Sequence, residues 1–313
     1  MSLPKRPTTG SEPDNLRTRA ELSTKRGPAS IKLESRLETL QAGADPPIEV
    51  RMSRAERRRQ AKEDRRIVAG GLDAARRDTV QVMALTRVLH GLLEESRDAG
   101  TIAPMMAFLH ENVRAADRAA PRKAIACARF CAHCCHAPVS ARAPEVLFLK
   151  SAIPPAEREV VTGAVSRAFA VTAAMDDLDR ARRSVPCPLL SDNLCRLYDS
   201  RPLTCRTAVS SDVAACERAF RLGMVDEGIP TPDFYRRIRT GYALALAGAL
   251  RRSGLPATAY DLNSALHIAL ARSDAEAAWL AGEPVFAGAQ ADPSGDPFDH
   301  PRNRELYLAT WAA

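Results

Sequence analysis

Aromatic residues are scarce in this 313-residue chain, which holds two Trp, five Tyr and eight Phe. Leu, Val and Ala must fill most of the core, and extended stacking platforms for single-stranded nucleic acid are not expected. No run of about 18 apolar residues occurs anywhere, so no helix is expected to span a membrane. The most apolar helical stretch, Tyr242 to Leu250, is short and is followed by Arg251 and Arg252. The opening MSLPKRPTTG lacks an apolar h-region and a small-residue cleavage site, so no signal peptide is expected. The expected location is therefore cytoplasmic, where thiols stay reduced. Internal repeats and an alternating strand–helix pattern are also missing, which argues against a parallel α/β fold. Cysteine, finally, is absent outside residues 127–216.

The charge is uneven. Residues 1–66 carry 16 Lys/Arg against 10 Asp/Glu, whereas the remaining residues are nearly balanced at 29 against 28. The net charge of +7 thus belongs mostly to this tail. Six prolines interrupt residues 1–50, and only Ile31 to Leu40 reads as a short helix. Residues 51–66, RMSRAERRRQAKEDRR, have high helix propensity and no apolar face. A solvated charged helix is the simpler reading. The alternative is a contact with nucleic acid or an acidic protein, since clustered Arg suits phosphates.

Beyond Gly70 and Gly71 the periodicity is helical. Val82, Leu85, Leu89 and Leu92 mark a helix over about Asp73–Arg97, and Met106, Leu109 and Val113 mark one over about Ile102–Arg118. Pro144 starts another. A longer one follows Pro155 through Val161, Val165, Phe169, Thr172 and Met175; to return the chain to the first cysteines, either this helix breaks, with Gly163 a candidate, or the segment from Ala181 to Pro186 runs back toward them. Residues 186–216 read as loop. After it come a helix from Pro232 (Tyr235, Ile238, Tyr242, Leu246), one around Leu262, Leu266 and Leu270, and a short one with Trp279 for which Ser273 and Glu276 form a candidate capping box. The fold class expected is mainly α: an irregular cysteine-rich metal-binding core wrapped by helices, with a disordered basic N-terminal tail. The division expected is a tail over 1–66, a helical segment over 67–120, a cysteine-cluster domain over 121–222 and a C-terminal helical segment over 223–313.

The cysteines carry the chemistry. Cys127, Cys131, Cys134 and Cys135 read C-x3-C-x2-C-C, and Cys187, Cys195, Cys205 and Cys216 follow at wider intervals. Thiolates favour zinc, copper(I) and iron–sulfur clusters. A two-residue gap such as Cys131 to Cys134 lets two sulfurs converge on one centre across a tight turn. Adjacent Cys134 and Cys135 do not suit one tetrahedral ion, so either two centres exist or one of the pair has another role. Buried apolar cysteines would not cluster in this way, and a disulfide framework conflicts with a reducing compartment. His133 and His136 flank the pair; they read either as imidazole ligands, since imidazole binds both zinc and iron, or, more simply, as solvated loop histidines. His90, His110 and His267 read as surface or core-edge residues.

The run CARFCAHCC, then Glu145, then CPLLSDNLCRLYDSRPLTCR, resembles the YkgJ-type cysteine-cluster family over about residues 121–222. That family is described as a zinc- or iron-chelating domain with a CxxCxxCC-type signature, and the first gap here has three residues in place of two. The resemblance implies metal binding, with zinc or an iron–sulfur cluster as cofactor, and makes Cys127, Cys131, Cys134, Cys135, Cys187, Cys195 and Cys205 candidate metal ligands. Cys216 is added to these. Arg201 and Arg206 are candidates to offset the negative charge of a thiolate centre, or else a turn with a surface ion pair. Glu145 is either a partner to that centre or a first-turn helix carboxylate. Two other functions compete: an iron–sulfur enzyme of radical type, since C-x3-C-x2-C also occurs there, and a zinc-stapled nucleic-acid-associated factor using the basic tail.

Because residues 1–66 lack an apolar face, their deletion is expected to leave metal content and thermal stability unchanged. Elemental analysis and a melting curve of the truncated chain check this, and a large loss in either contradicts it.

Overall fold

The computed structural model describes residues 53–55, 57–59, 61–62, 78–223 and 229–292. The short helix expected near Ile31, the start of the helix expected at Asp73, and the loop beyond residue 292 lie outside these. Where residues 54–62 are described they are helical and exposed, in keeping with a charged helix that has no apolar face.

The architecture is mainly helical. Helix α1 (Asp78–Ala99) and α2 (Ala103–Ala119) are joined through Gly100, which takes a left-handed φ of 68°. The long α8 (Asp233–Arg252) packs along α1. Closeness is set by Gly248, where an added Cβ would stand 3.0 Å from Thr86 Cγ2. At the other end of this contact the Ser253 hydroxyl donates to Glu94 Oε1 (2.6 Å) and lies 2.9 Å from His90 Nδ1.

A second group of helices packs beside the first. Strand β1 (Ser140–Arg142) runs directly into α3 (Ala143–Ser151), and β4 (Ala259–Asp261) runs into α9 (Leu262–Ala271). The two strands pair antiparallel, Ser140 opposite Asp261 and Arg142 opposite Ala259. Helix α9 then packs on both α3 and α4 (Arg158–Thr172). Extended backbone was expected only near Val139, so β4 is an addition. The chain after α4 breaks at 173–176 and not at Gly163. Asp176 caps the next helix, α5 (Asp177–Arg183), by accepting from Asp179 N at 2.7 Å.

The capping box expected from Ser273 and Glu276 does not form. Helix α10 (Ala275–Leu280) has no side-chain cap. Glu276 instead reaches the start of α2, where its Oε1 accepts from Ile102 N (2.7 Å) and Thr101 Oγ1 (3.0 Å). At the start of α2 the Thr101 hydroxyl accepts from Ala103 N at 3.3 Å, and the Glu276 carboxylate from elsewhere in the chain satisfies Ile102 N.

One apolar core runs through these elements. It joins Leu85 and Leu89 of α1, Met106 and Leu109 of α2, Leu147 of α3, Leu246 of α8 and Leu266 of α9 with Leu189, Leu197 and Leu203 from the cysteine-rich stretch. That stretch is therefore anchored by its leucines to the helical body. None of the helices among the described residues is long and apolar enough to cross a membrane.

Arg180 on α5 pairs with Asp261 at the β4–α9 junction, and both side chains are buried. The same carboxylate accepts from Ser264 N at 2.9 Å and caps α9. Asp261→Ala would leave a buried guanidinium unpaired and is expected to cost about 3–5 kcal/mol. Urea denaturation measures it; a loss below about 1 kcal/mol would contradict the role given to this pair.

Candidate metal centre

The first cysteine run has little regular structure. Cys127 is exposed, and its sulfur accepts from Ser210 N at 3.2 Å while Ala126 N donates to Ser210 O at 2.8 Å. The start of the first run is thus pinned to the loop that follows Cys205. Phe130 adopts a φ of 67°, a conformation that L-residues rarely hold, and turns the chain into Cys131. Its ring is exposed, with the Arg129 guanidinium 5.1 Å from the ring centroid. Residues His133–His136 then form one 3-10 turn containing Cys134 and Cys135.

The second run, expected as loop, is more ordered than that. Leu190–Ser191 (β2) and Leu194–Cys195 (β3) form a hairpin, with Leu190 opposite Cys195. Asp192 and Asn193 make its two-residue turn with φ of 51° and 60°, as a type I′ turn requires. Asp and Asn tolerate that conformation, so Ser-Asp-Asn-Leu was a readable hairpin signal. The hairpin folds Cys195 back toward Cys187, and Arg196 N closes it on Leu189 O at 2.9 Å. Cys205 then lies on the short helix α6 (Leu203–Arg206). Cys216 lies buried on α7 (Val213–Arg221), a helix that begins inside the stretch read as loop and is capped by Asp212.

The two runs meet. Cys187 N donates to Cys135 O at 2.8 Å, a direct backbone bond between them. All eight cysteines are free thiols. Burial pushes the Cys187 thiol up to about 11, with the thiols of Cys195 and Cys134 adding to the effect. Cys205 is raised by burial and then by Cys187, Cys195 and Cys134, with Arg201 opposing. Cys134 is raised first by its hydrogen bond to Cys135 and then by burial, again against Arg201. Cys195 is raised by burial against Arg201 and Arg206. Sulfurs from both runs therefore lie within electrostatic reach of one another and of Arg201. Cys127, exposed as a residue but desolvated at its sulfur, is raised by that desolvation and then by Cys131, Cys134 and Cys216, against the bond from Ser210. Helix α7 carries Cys216 and packs on the His133–His136 turn.

Arg201 and Arg206 flank this region. The Arg201 guanidinium stacks on the exposed Tyr198 ring at 3.6 Å, and its Nε donates to Tyr198 O at 3.1 Å. Arg206 Nε donates to Arg201 O at 3.0 Å, and its Nη2 donates to Asp199 O. Nη2 of Arg206 also lies 3.3 Å from His110 Nδ1. A guanidinium only donates, so that nitrogen accepts and the imidazole proton sits on Nε2, which is buried without a partner. Burial first, then Arg206 and Arg114, push His110 down to about 3 and keep it neutral. Arg206 is itself pushed down to about 10 by burial and by its cationic neighbours. The reading of His110 as a surface or core-edge residue is therefore corrected: it is buried, set edge-on to Phe148 at 5.0 Å, and it has an arginine companion. No periodicity could reveal that companion, which lies 96 residues away. His133 and His136, read as solvated loop residues, are half-buried, with their rings 5.6 and 4.7 Å from that of Phe220 on α7.

Glu145 sits beneath the site with 4% of its surface exposed. Its Oε2 accepts from Arg142 N at 2.8 Å, closing the first turn of α3. Its Oε1 accepts from Leu203 N at 2.7 Å, at the start of the helix that carries Cys205. Burial pushes this carboxyl up, and the two backbone donors and Arg142 oppose the push. Glu145 thus holds the Cys205 helix against the β1–α3 junction, and both its oxygens are engaged with backbone.

The donor set suits a soft metal: thiols from two runs, part-buried, with guanidinium groups beside them. Among the described residues no three His, Cys, Asp or Glu side chains stand in an arrangement that would hold a metal ion without adjustment.

Glu145→Ala would leave two buried N–H groups unpaired, at about 1–3 kcal/mol each. It is expected to loosen the Cys205 helix, so that alkylation of Cys205 in metal-free protein rises relative to Cys187. Mass-spectrometric rates for the two cysteines check this, and an unchanged ratio contradicts it.

No curated protein and no solved structure matches the chain. Residues 126–221 match the CxxCxxCC family model, described as a "putative zinc- or iron-chelating domain". These residues contain every cysteine of the chain, the hairpin and the Cys205 helix. The similarity of this chain to the CxxCxxCC family thus lies in residues 126–221, the stretch that holds the cysteines.

Proposed function

We propose that this chain binds zinc or an iron–sulfur cluster through thiolates drawn from both cysteine runs. The observation that carries the reading is the direct bond between Cys187 N and Cys135 O, which brings the runs together at their sulfur-rich ends. The ligands proposed for the shared centre are Cys134, Cys187, Cys195 and Cys205. Cys127, Cys131 and Cys216 supply further thiols on the side of α7, and Cys135 acts through its hydrogen bond to Cys134.

When bound, the metal supplies a soft cation that replaces the thiol protons. The chain supplies the rest. Neutral thiols are favoured while the site holds no cation, because burial and mutual proximity both oppose thiolate formation. Arg201 and Arg206 offset the negative charge of a multi-thiolate centre. Glu145 ties the Cys205 helix to the β1–α3 junction. A reducing compartment belongs to this proposal, since disulfides between such close thiols would compete with the metal.

Protein purified without oxygen should carry zinc or iron above trace. An absorption spectrum separates the two, because zinc is colourless and an iron–sulfur cluster is not. Cys134→Ser and Cys195→Ser should each lower the metal content, and the double substitution should cost little more than either alone, since both disable one site. Absence of both metals defeats metal binding. Independent, additive losses defeat the shared centre.

A further inference from the structure

His136 closes the turn that holds Cys134 and Cys135, and three features of its surroundings point the same way. Its Nδ1 lies 3.1 Å from Ala132 O. A carbonyl can only accept, so Nδ1 carries the proton and Nε2, on the far side of the ring, keeps its lone pair. The ring is held near edge-on to Phe220, at 4.7 Å and 64°, which fixes its plane. His136 also lines the cleft that Cys187 lines, beside Arg180 and Asn263.

This is the arrangement a metal-ligating histidine needs. One ring nitrogen donates to a backbone carbonyl, which fixes the tautomer, and the other is left as an oriented donor. The seam between the runs lies next to it, because Cys187 N is bonded to the carbonyl of the preceding residue, Cys135. His133 is a natural control. It sits in the same turn and against the same Phe220 ring, but it is not among the residues that line this cleft.

We infer that His136 supplies an imidazole nitrogen, through Nε2, to the metal centre at the junction of the two cysteine runs, on its cleft side. The inference rests on the proposed thiolate centre and adds a ligand of a different class. Beside the proposed thiolates, a neutral imidazole brings a nitrogen donor without adding negative charge.

The test uses the full chain, stripped of metal and loaded with cobalt(II). Cobalt(II) reports sulfur ligation through its charge-transfer absorption and nitrogen ligation through hyperfine coupling in pulsed electron paramagnetic resonance. Unsubstituted protein, grown once with natural and once with 15N-labelled histidine, should show a directly bound histidine nitrogen. His136→Ala should abolish that coupling and weaken cobalt binding by about tenfold or more. His133→Ala should leave the coupling in place. Far-ultraviolet circular dichroism establishes that each variant folds, and the unsubstituted measurement does not depend on either. Sulfur-bound cobalt without a histidine nitrogen, or a coupling that survives His136→Ala, overturns the inference and leaves the thiolate centre standing. Failure to bind cobalt at all overturns both.

Discussion

The geometry of the cysteine-rich region depends on one buried carboxylate. Glu145 accepts Arg142 N with one oxygen and Leu203 N with the other, and so ties the β1–α3 junction to the helix that carries Cys205. A buried carboxylate is costly to keep ionised, and burial does push this one up. Two short backbone bonds offset that cost. The helix it fixes is only four residues long and its own cap, Pro202, offers no side-chain acceptor, so Glu145 supplies the acceptor for Leu203 N. Leucines hold the same region from the other side, with Leu189, Leu197 and Leu203 buried in the common core. The sulfurs are therefore placed by elements that are not themselves cysteine.

Gathering thiols creates an electrostatic problem that the fold leaves open. Each additional neighbouring thiol makes ionisation harder, and part-burial adds to this. Arg201 and Arg206 relieve some of it, yet both are committed to backbone carbonyls of the Tyr198–Arg201 turn, and Arg206 also to His110. These bonds orient the guanidinium groups without neutralising them. A bound cation would complete the charge balance, which is the physical reason a cysteine cluster of this kind reads as a metal centre and not as a store of inert thiols.

Much of this was legible in the sequence, for identifiable reasons. Helices with a clear apolar stripe, such as that bearing Leu85 and Leu89, were readable because burial follows their period. The clustering of cysteine marked residues 127–216 without any structure. What escaped was set by long-range contacts. The β1–β4 pair involves three residues on each side, too few for alternation to register. The role of Glu276 depends on a helix start far away in sequence, and so does the pairing of His110 with Arg206. The Asp192–Asn193 turn was different. Its residue types were a sufficient local signal for a hairpin, overlooked because the strands beside it are only two residues long.

Ligation of one metal by both runs is what the proposed centre requires. A crystal of the metal-loaded protein, with data collected on either side of the absorption edge of its native metal, tests this most directly. A shared centre gives an anomalous peak bounded by the sulfurs of Cys134 from the first run and Cys187, Cys195 and Cys205 from the second, with Arg201 alongside. A peak surrounded by cysteines of one run alone would contradict it.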